Sequence, residues 1–380
     1  MKVLQIIPCF RFGGAEIMCK NLILAQAKLG CSVTVVSLYG EYTPIARQVE
    51  AAGVRVIYLD KKLGMDVSMF GKLTGIMRRE KPDVVHTHLD VIKYATVAAK
   101  LAGIRKCVHT VHTLAHIEAE GPIQKISNKL FFKLGWSVPV ALSPEVQESI
   151  ADFYNLDRER IPVICNGVEL SHCMPKEDYE AGETVNILHV GRFDPPKNHE
   201  GLLRSFRLLL DRCPRCHLHL VGDGELRPSM EALAEELKLT DSVSFHGTQE
   251  NVYPYLHDAD IFVLPSVYEG IPMTVIEAMG TGLPIVATKV GGVPDLLRSG
   301  ENGILVPCEA AAVADALERL VRDPVLRERI LLPQTPWNSG NGWDPGRPGS
   351  PPGVLPCGPA CRRRRWGPDL RGWEDRSSWP

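Results

Sequence analysis

The sequence predicts an α/β protein built from two doubly wound parallel sheets that face each other across a cleft. Three observations carry this. Short β-branched runs alternate with amphipathic segments through the first half of the chain. The alternation stops in a polar stretch at 169–183 that contains Pro175, and then restarts. Small or polar turns follow nearly every strand-like run in both halves, which is where open parallel sheets bind ligands.

In the first half, strand-like runs fall at 3–7, 33–38, 54–59, 83–87, 107–111 and 138–142. Helical periodicity covers 15–29, 45–52, 67–80, 91–101, 123–134 and 145–154. After the break, strands are expected at 185–190, 217–221, 243–246, 261–264, 284–287 and 304–306. Helices are expected at 199–211, 227–237, 252–257, 273–279 and 310–322. The expected domains are 1–168 and 184–330, joined by a linker at 169–183. From about residue 331 to residue 380 the texture changes to Pro, Gly, Arg and Trp, with Arg362 to Arg365 in one run. We read this tail as translation out of frame rather than as a natural disordered tail.

At 380 residues the chain can bury two cores. No apolar run approaches the roughly 20 residues that span a bilayer. The first residues, MKVLQIIP, resemble a buried strand more than a signal peptide. The 11 cysteines are scattered, as expected for reduced thiols in a cytoplasm. A net charge of −2 hides an asymmetry. Residues 1–165 carry 21 Lys/Arg against 15 Asp/Glu, and residues 166–330 carry 15 against 26. A basic first half and an acidic second half imply different partners for each.

The stretch PSVYEGIPMTVIEAMGTGLP, 265–284, combines a strand end, a polar loop and a helix that starts at Pro272 or Met273. The unpaired N–H groups and positive dipole of a helix start suit a phosphate. A carboxylate one turn inside, Glu277, suits sugar hydroxyls, with Glu269 in the loop before it. The turn Gly191 to Lys197 places Arg192 and Lys197 before a further helix, and two such cations can clamp a diphosphate. Taken alone, each turn is also compatible with solvated surface charge.

Gly13-Gly14-Ala15-Glu16, NGV at 166–168, HVGRFDPPKN at 189–198, VGDGELR at 221–227 and the run 264–297 follow one another in order. Together they resemble the retaining family-4 (group 1) glycosyltransferases of GT-B fold, of the type that builds bacterial surface polysaccharides. The resemblance covers residues 1 to about 330. It implies a nucleotide-diphosphate sugar donor, a sugar or lipid-linked acceptor, retention of configuration, no cofactor and no metal. By residue it implies that Arg192 and Lys197 bind the diphosphate, that Glu277 binds the ribose and that Glu269 lies by the donor sugar. The backbone of Gly270, Ile271, Pro272, Met273 and Thr274 would cradle sugar and phosphate. Gly13 and Gly14 would lie at the reaction centre and Gly191 in the donor turn, while His112 would project toward the donor sugar.

Other features are weaker. His86, His88 and His109 are expected to be satisfied histidines rather than metal ligands. Asp258 and Asp260 precede a strand and so lie away from the site. Cys213 and Cys216 form a lone C-x-x-C. Lys125, Lys129 and Lys133 share one helix face near Phe131, Phe132 and Trp136, which suggests peripheral contact with anionic lipid. No nucleic-acid partner is expected. A dinucleotide-dependent oxidoreductase would need G-x-G-x-x-G after the first strand, and Phe10 to Glu16 offers only Gly13-Gly14. The remaining rival is a nucleotide-sugar-binding protein impaired in turnover by its altered C-terminus.

Overall fold

The computed structural model describes residues 1–11, 13–119, 121–174 and 182–331. The tail beyond residue 331 and residues 175–181 of the linker therefore lie outside the described residues. The first sheet comprises β1 (Lys2–Ile7), β2 (Ser32–Ser37), β3 (Arg55–Tyr58), β4 (Val84–His88), β5 (Cys107–Val111) and β6 (Val138–Ala141). Their spatial order is β3-β2-β1-β4-β5-β6, and every pairing is parallel. The second comprises β7 (Val185–Val190), β8 (Cys216–Val221), β9 (Val243–Phe245), β10 (Ile261–Leu264), β11 (Ile285–Thr288) and β12 (Ile304–Val306). Its order, β12-β11-β10-β7-β8-β9, is the same winding, again all parallel.

The strands read as near-continuous apolar runs because helices cover both faces. All four residues of β10 are buried, as are all but the first of β1. The helix Ala310–Arg322 buries Val313, Leu317 and Leu320 on one stripe against the second sheet. The helix Pro324–Leu331 escaped the sequence reading; Leu326 and Ile330 enter the same core.

One expectation is corrected and another is made more definite. Pro272 is the residue before the helix Met273–Gly280, with extended backbone, rather than its first helical residue. Phe131 and Phe132 are buried on the inner side of the helix Pro122–Lys133, so they do not share the face of the lysines. Their burial follows from the α-helical period, which gathers positions 124, 128, 131 and 132 on the side facing the sheet.

The two halves meet through an apolar cluster. Met18 and Leu142 from the first half, with Val168, pack on Ile271, Met273 and Ile276. Across the same seam the Asn166 side-chain amide donates to the Ile271 carbonyl at 3.0 Å. Lys28 pairs with Glu169 at 2.7 Å.

Candidate active site

Each sheet reverses its winding direction between two central strands, β1/β4 in the first and β7/β10 in the second. Ligands of doubly wound sheets bind beyond the carboxyl ends of strands at such points. The predicted residues follow these strands. Gly13 and Gly14 come after β1, Gly191 and Arg192 after β7, and Glu269 to Thr274 after β10. His112 comes directly after β5, the neighbour of β4.

Gly13 caps the helix Gly14–Lys28 without a side-chain cap, so the first N–H groups are unpaired by a capping oxygen. The Glu16 carboxylate folds back over this end, and a Cβ on Gly13 would collide with it. Burial raises the Glu16 pKa, against the pull of its own amide and of Arg192. Gly14 faces open space.

In the second half the Lys197 ammonium donates to Glu269 Oε1 at 2.6 Å, and the Ser266 hydroxyl donates to the same oxygen at 2.7 Å. Glu269 is buried and Lys197 is mostly so. Arg192 donates through Nε to Asp194 Oδ2 at 2.8 Å and keeps its side chain exposed. The loop that holds Glu269 is fixed by Gly291, whose left-handed backbone (φ 52°) packs on the Glu269 carbonyl, where any Cβ would clash. The side chains of Ile271 and Met273 go into the seam, and the Ile271 carbonyl is taken by Asn166. The Thr274 hydroxyl, in the first turn of the helix, is buried and has no hydrogen-bond partner among the described residues.

Glu277 lies one turn deeper and is buried. Burial pushes its carboxyl up to about 7, and Lys20 of the first half pulls the other way. Lys20, in turn, is lowered by burial and supported by Glu277. Its ammonium donates to Gln48 at 3.1 Å.

His112 belongs to a chain of polar groups on the first sheet. Gln5 Oε1 accepts from His88 Nε2 at 2.9 Å, and His88 Nδ1 lies 3.1 Å from His112 Nε2. Burial, followed by the neighbouring histidines, holds His88 well below its usual range; burial holds His112 at about 4, against the pull of Glu118. Both rings are therefore neutral at pH 7. With His88 donating through Nε2, its Nδ1 accepts from His112, and His112 Nδ1 carries the lone pair. The Glu118 carboxylate holds the loop: one oxygen meets His109 Nε2 at 3.1 Å and the other accepts the His112 amide at 2.5 Å. His86 bonds the Thr110 hydroxyl at 2.8 Å.

The two halves converge where Gly270 lies on the His112 main chain, with the position of a Cβ only 2.5 Å from the His112 oxygen. This contact brings together His112, Glu269 and, through Glu269, Lys197. Arg192 approaches Glu16 but pairs with Asp194. Asp260 stands before β10 and accepts the Asn186 amide at 2.8 Å, remote from these loops. Sequence reasoning missed Lys20, Ser266, Asp194, Glu118 and the seam role of Asn166. Asn166, Asp194 and Ser266 had a local signal, since each lies within a quoted motif, whereas Lys20 and Glu118 had none.

Comparison with known proteins agrees with this arrangement. The profile described as Glycosyltransferase Family 4 matches residues 12–172, and that described as Glycosyl transferases group 1 matches residues 184–323. A D-inositol 3-phosphate glycosyltransferase of Thermomonospora curvata is 29% identical over 353 residues, covering 80% of this chain and 81% of its own. The UDP-Gal:alpha-D-GlcNAc-diphosphoundecaprenol alpha-1,3-galactosyltransferase of Escherichia coli is 28% identical over 278 residues, covering 69% and 72%. Among solved structures, Anabaena HepE in complex with UDP-glucose superposes with a TM-score of 0.75 at 20% identity, over 87% of this chain and 92% of that one. That likeness shows the GT-B fold. The two profiles divide where one sheet ends and the other begins, and the chain belongs to the family-4, group 1 glycosyltransferases.

Proposed function

We propose that this glycosyltransferase moves a sugar from a nucleoside-diphosphate donor to a hydroxyl of a sugar or lipid-linked acceptor. On this reading it retains anomeric configuration, needs no metal and serves cell-surface polysaccharide or glycolipid synthesis at the cytoplasmic face of a membrane. Residues 184–330 hold the donor, residues 1–168 hold the acceptor and 169–183 join them.

The observation that carries this reading is the meeting of His112, Gly270, Glu269 and Lys197 at one point of the seam. Arg192 and Lys197 stabilise the charge that develops on the departing diphosphate. The N–H groups at Met273 and Thr274, with the orphan Thr274 hydroxyl, take phosphate oxygens. Glu277 accepts from the ribose hydroxyls. His112 Nδ1 accepts from a hydroxyl of the donor sugar, and Glu269 orients the same ring. The Gly13–Gly14 helix start meets the diphosphate from the acceptor side once Glu16 moves aside. No side chain is assigned as a nucleophile; the acceptor hydroxyl attacks on the leaving-group face.

The names of relatives support the acceptor class, since the E. coli protein is named for a diphosphoundecaprenol-linked sugar. HepE is described with UDP and UDP-glucose, which supports a uridine donor as the first to try. The test is a thermal-shift screen of UDP-, GDP- and ADP-sugars, followed by donor turnover with and without EDTA. A shift with one donor series and EDTA-insensitive turnover are expected. Loss of turnover in EDTA, restored by a divalent ion, would refute metal independence; binding without transfer or hydrolysis would mark a binding protein.

A further inference from the structure

We propose that the helix Pro122–Lys133 and the residue after it form a membrane-docking surface that inserts into the headgroup region of an anionic bilayer. The lysines alone would fit a merely solvated face. The exposed apolar residues do not. Ile123, Ile126, Leu130 and Leu134 are 68%, 66%, 50% and 53% exposed. They recur at spacings of three, four and four, which lines them up along one side of the helix.

The opposite side is firmly docked. Phe131 and Phe132 enter the core, and the Asn128 amide donates to the Tyr154 hydroxyl at 3.3 Å. The outer stripe therefore cannot turn inward to be covered by the same domain. A helix whose apolar residues split into a buried pair and a separate exposed row has two partners, one of which is its own sheet.

Charge identifies the second partner. The helix carries three lysines and no acid, and the next acid after it is Glu145. Lys125 stands over the Phe153 ring at 4.2 Å, and on the neighbouring helix Lys100 stands over Trp136 at 5.6 Å. The turn after Lys100 adds exposed Arg105 and Lys106. An apolar row with three lysines and no acid on its own helix matches the boundary between anionic headgroups and acyl chains. A second exposed apolar segment, Leu63, Met65 and Val67, follows β3 beside the exposed Lys62. The helix begins beyond the carboxyl end of β5 and runs back to the start of β6, while the second segment follows the carboxyl end of β3. Among the described residues no helix is long and apolar enough to cross a membrane, so contact is at the surface.

The inference rests on the proposed use of a lipid-linked acceptor for its purpose, and the experiment separates the two. Flotation of the full chain is measured with vesicles of phosphatidylcholine alone and of phosphatidylcholine mixed with phosphatidylglycerol. Binding to the mixed vesicles only is expected. Neutralising Lys129 and Lys133 to Ala should weaken it by about fivefold for each lysine at low salt. Ile126→Asp with Leu130→Asp should weaken it by more than about tenfold. Both positions are exposed, so the melting temperature should hold, and the shift induced by UDP should be that of the parent. Equal flotation of the parent and the double aspartate variant would overturn the proposal, as would a parent that stays unbound to mixed vesicles. A concentration-dependent dimer that the double variant dissolves, with no vesicle binding, would assign the stripe to a second copy instead. A parent that floats but shows no nucleotide-induced shift leaves the docking surface standing and removes the donor reading.

Discussion

Gly270 rests directly on the main chain of His112, so a loop of the second sheet touches a loop of the first with no side chain between them. Gly270 does not need glycine for its backbone angles, since its φ is not positive. It needs glycine for space. The atom that a methyl group would meet is a carbonyl oxygen fixed at the end of a strand, and that oxygen has no flexible side chain with which to give way.

Gly270→Ala should therefore push the halves apart rather than strain the loop. Overpacking of this kind costs about 1–3 kcal/mol. We expect a melting temperature lowered by a few degrees and turnover reduced about tenfold or more, with nucleotide binding to the second half largely kept. Calorimetry and donor-turnover rates check this. Unchanged turnover would show that the contact plays no part in the reaction.

Lys197 is the cation best placed to meet a diphosphate, because Glu269 and Ser266 hold its surroundings in position. Lys197→Ala should weaken UDP binding by about tenfold to a hundredfold, the loss of a charged hydrogen bond of about 1.5–3 kcal/mol. Arg192→Ala should cost less, since that side chain is exposed and pairs with Asp194. Isothermal titration of both variants settles the ranking, and equal affinities for Lys197→Ala and the parent would remove Lys197 from the donor site.

Glu277 has a carboxyl raised to about 7 by burial. The ionised form accepts hydrogen bonds from a ribose, so affinity should rise as pH increases from about 6 to 8. The expected gain is about tenfold, read with UDP-glucose, whose pyrophosphate diester does not titrate in this interval. Glu277→Gln should flatten the profile. The stability sign is the reverse. A raised carboxyl stabilises the fold below the unfolded value near 4.5 and loses that contribution as pH rises through about 7. Glu277→Gln should thus raise the melting temperature more at pH 8 than at pH 5.

The buried histidines act in the other direction. Burial is the largest cause lowering His86 to about 3, His112 and His189 to about 4 and His199 to about 2. The unfolded chain takes up protons near pH 6.5 that the folded chain refuses. Stability should therefore fall as pH drops from about 6.5 toward 4, by about 1.4 kcal/mol per pH unit for each such histidine. A scan of melting temperature against pH measures the slope, and His199→Phe, which keeps the stack on Phe193, should reduce it.

The strands were legible because each is a run of apolar residues in a sheet covered on both faces; β5, β7, β10 and β12 lie exactly where the pattern put them. Pro272 was misplaced by one residue because proline suits both the last extended and the first helical position. The helix Pro324–Leu331 was missed because it is short, rich in charge and adjoins the change of texture in the tail. At the site, Lys197 and Glu269, each picked out by its local motif, meet as a pair. What could not be read was the company each keeps. Lys20 near Glu277 and Glu118 under His112 are set by packing, and nothing at sequence distance marks them.

Glu118 has a further consequence. Its carboxylate holds the His112 amide, while its own carbonyl accepts from Gln124 at 3.4 Å, on the inner side of the helix proposed to meet lipid. The surface helix and the reaction centre are thereby joined through a single residue. If that helix lies in the headgroup layer, the height of His112 above the lipid plane is set by the protein. The site then works as a ruler, selecting acceptors whose reactive hydroxyl stands at that height, whatever the chemistry of the sugar that bears it.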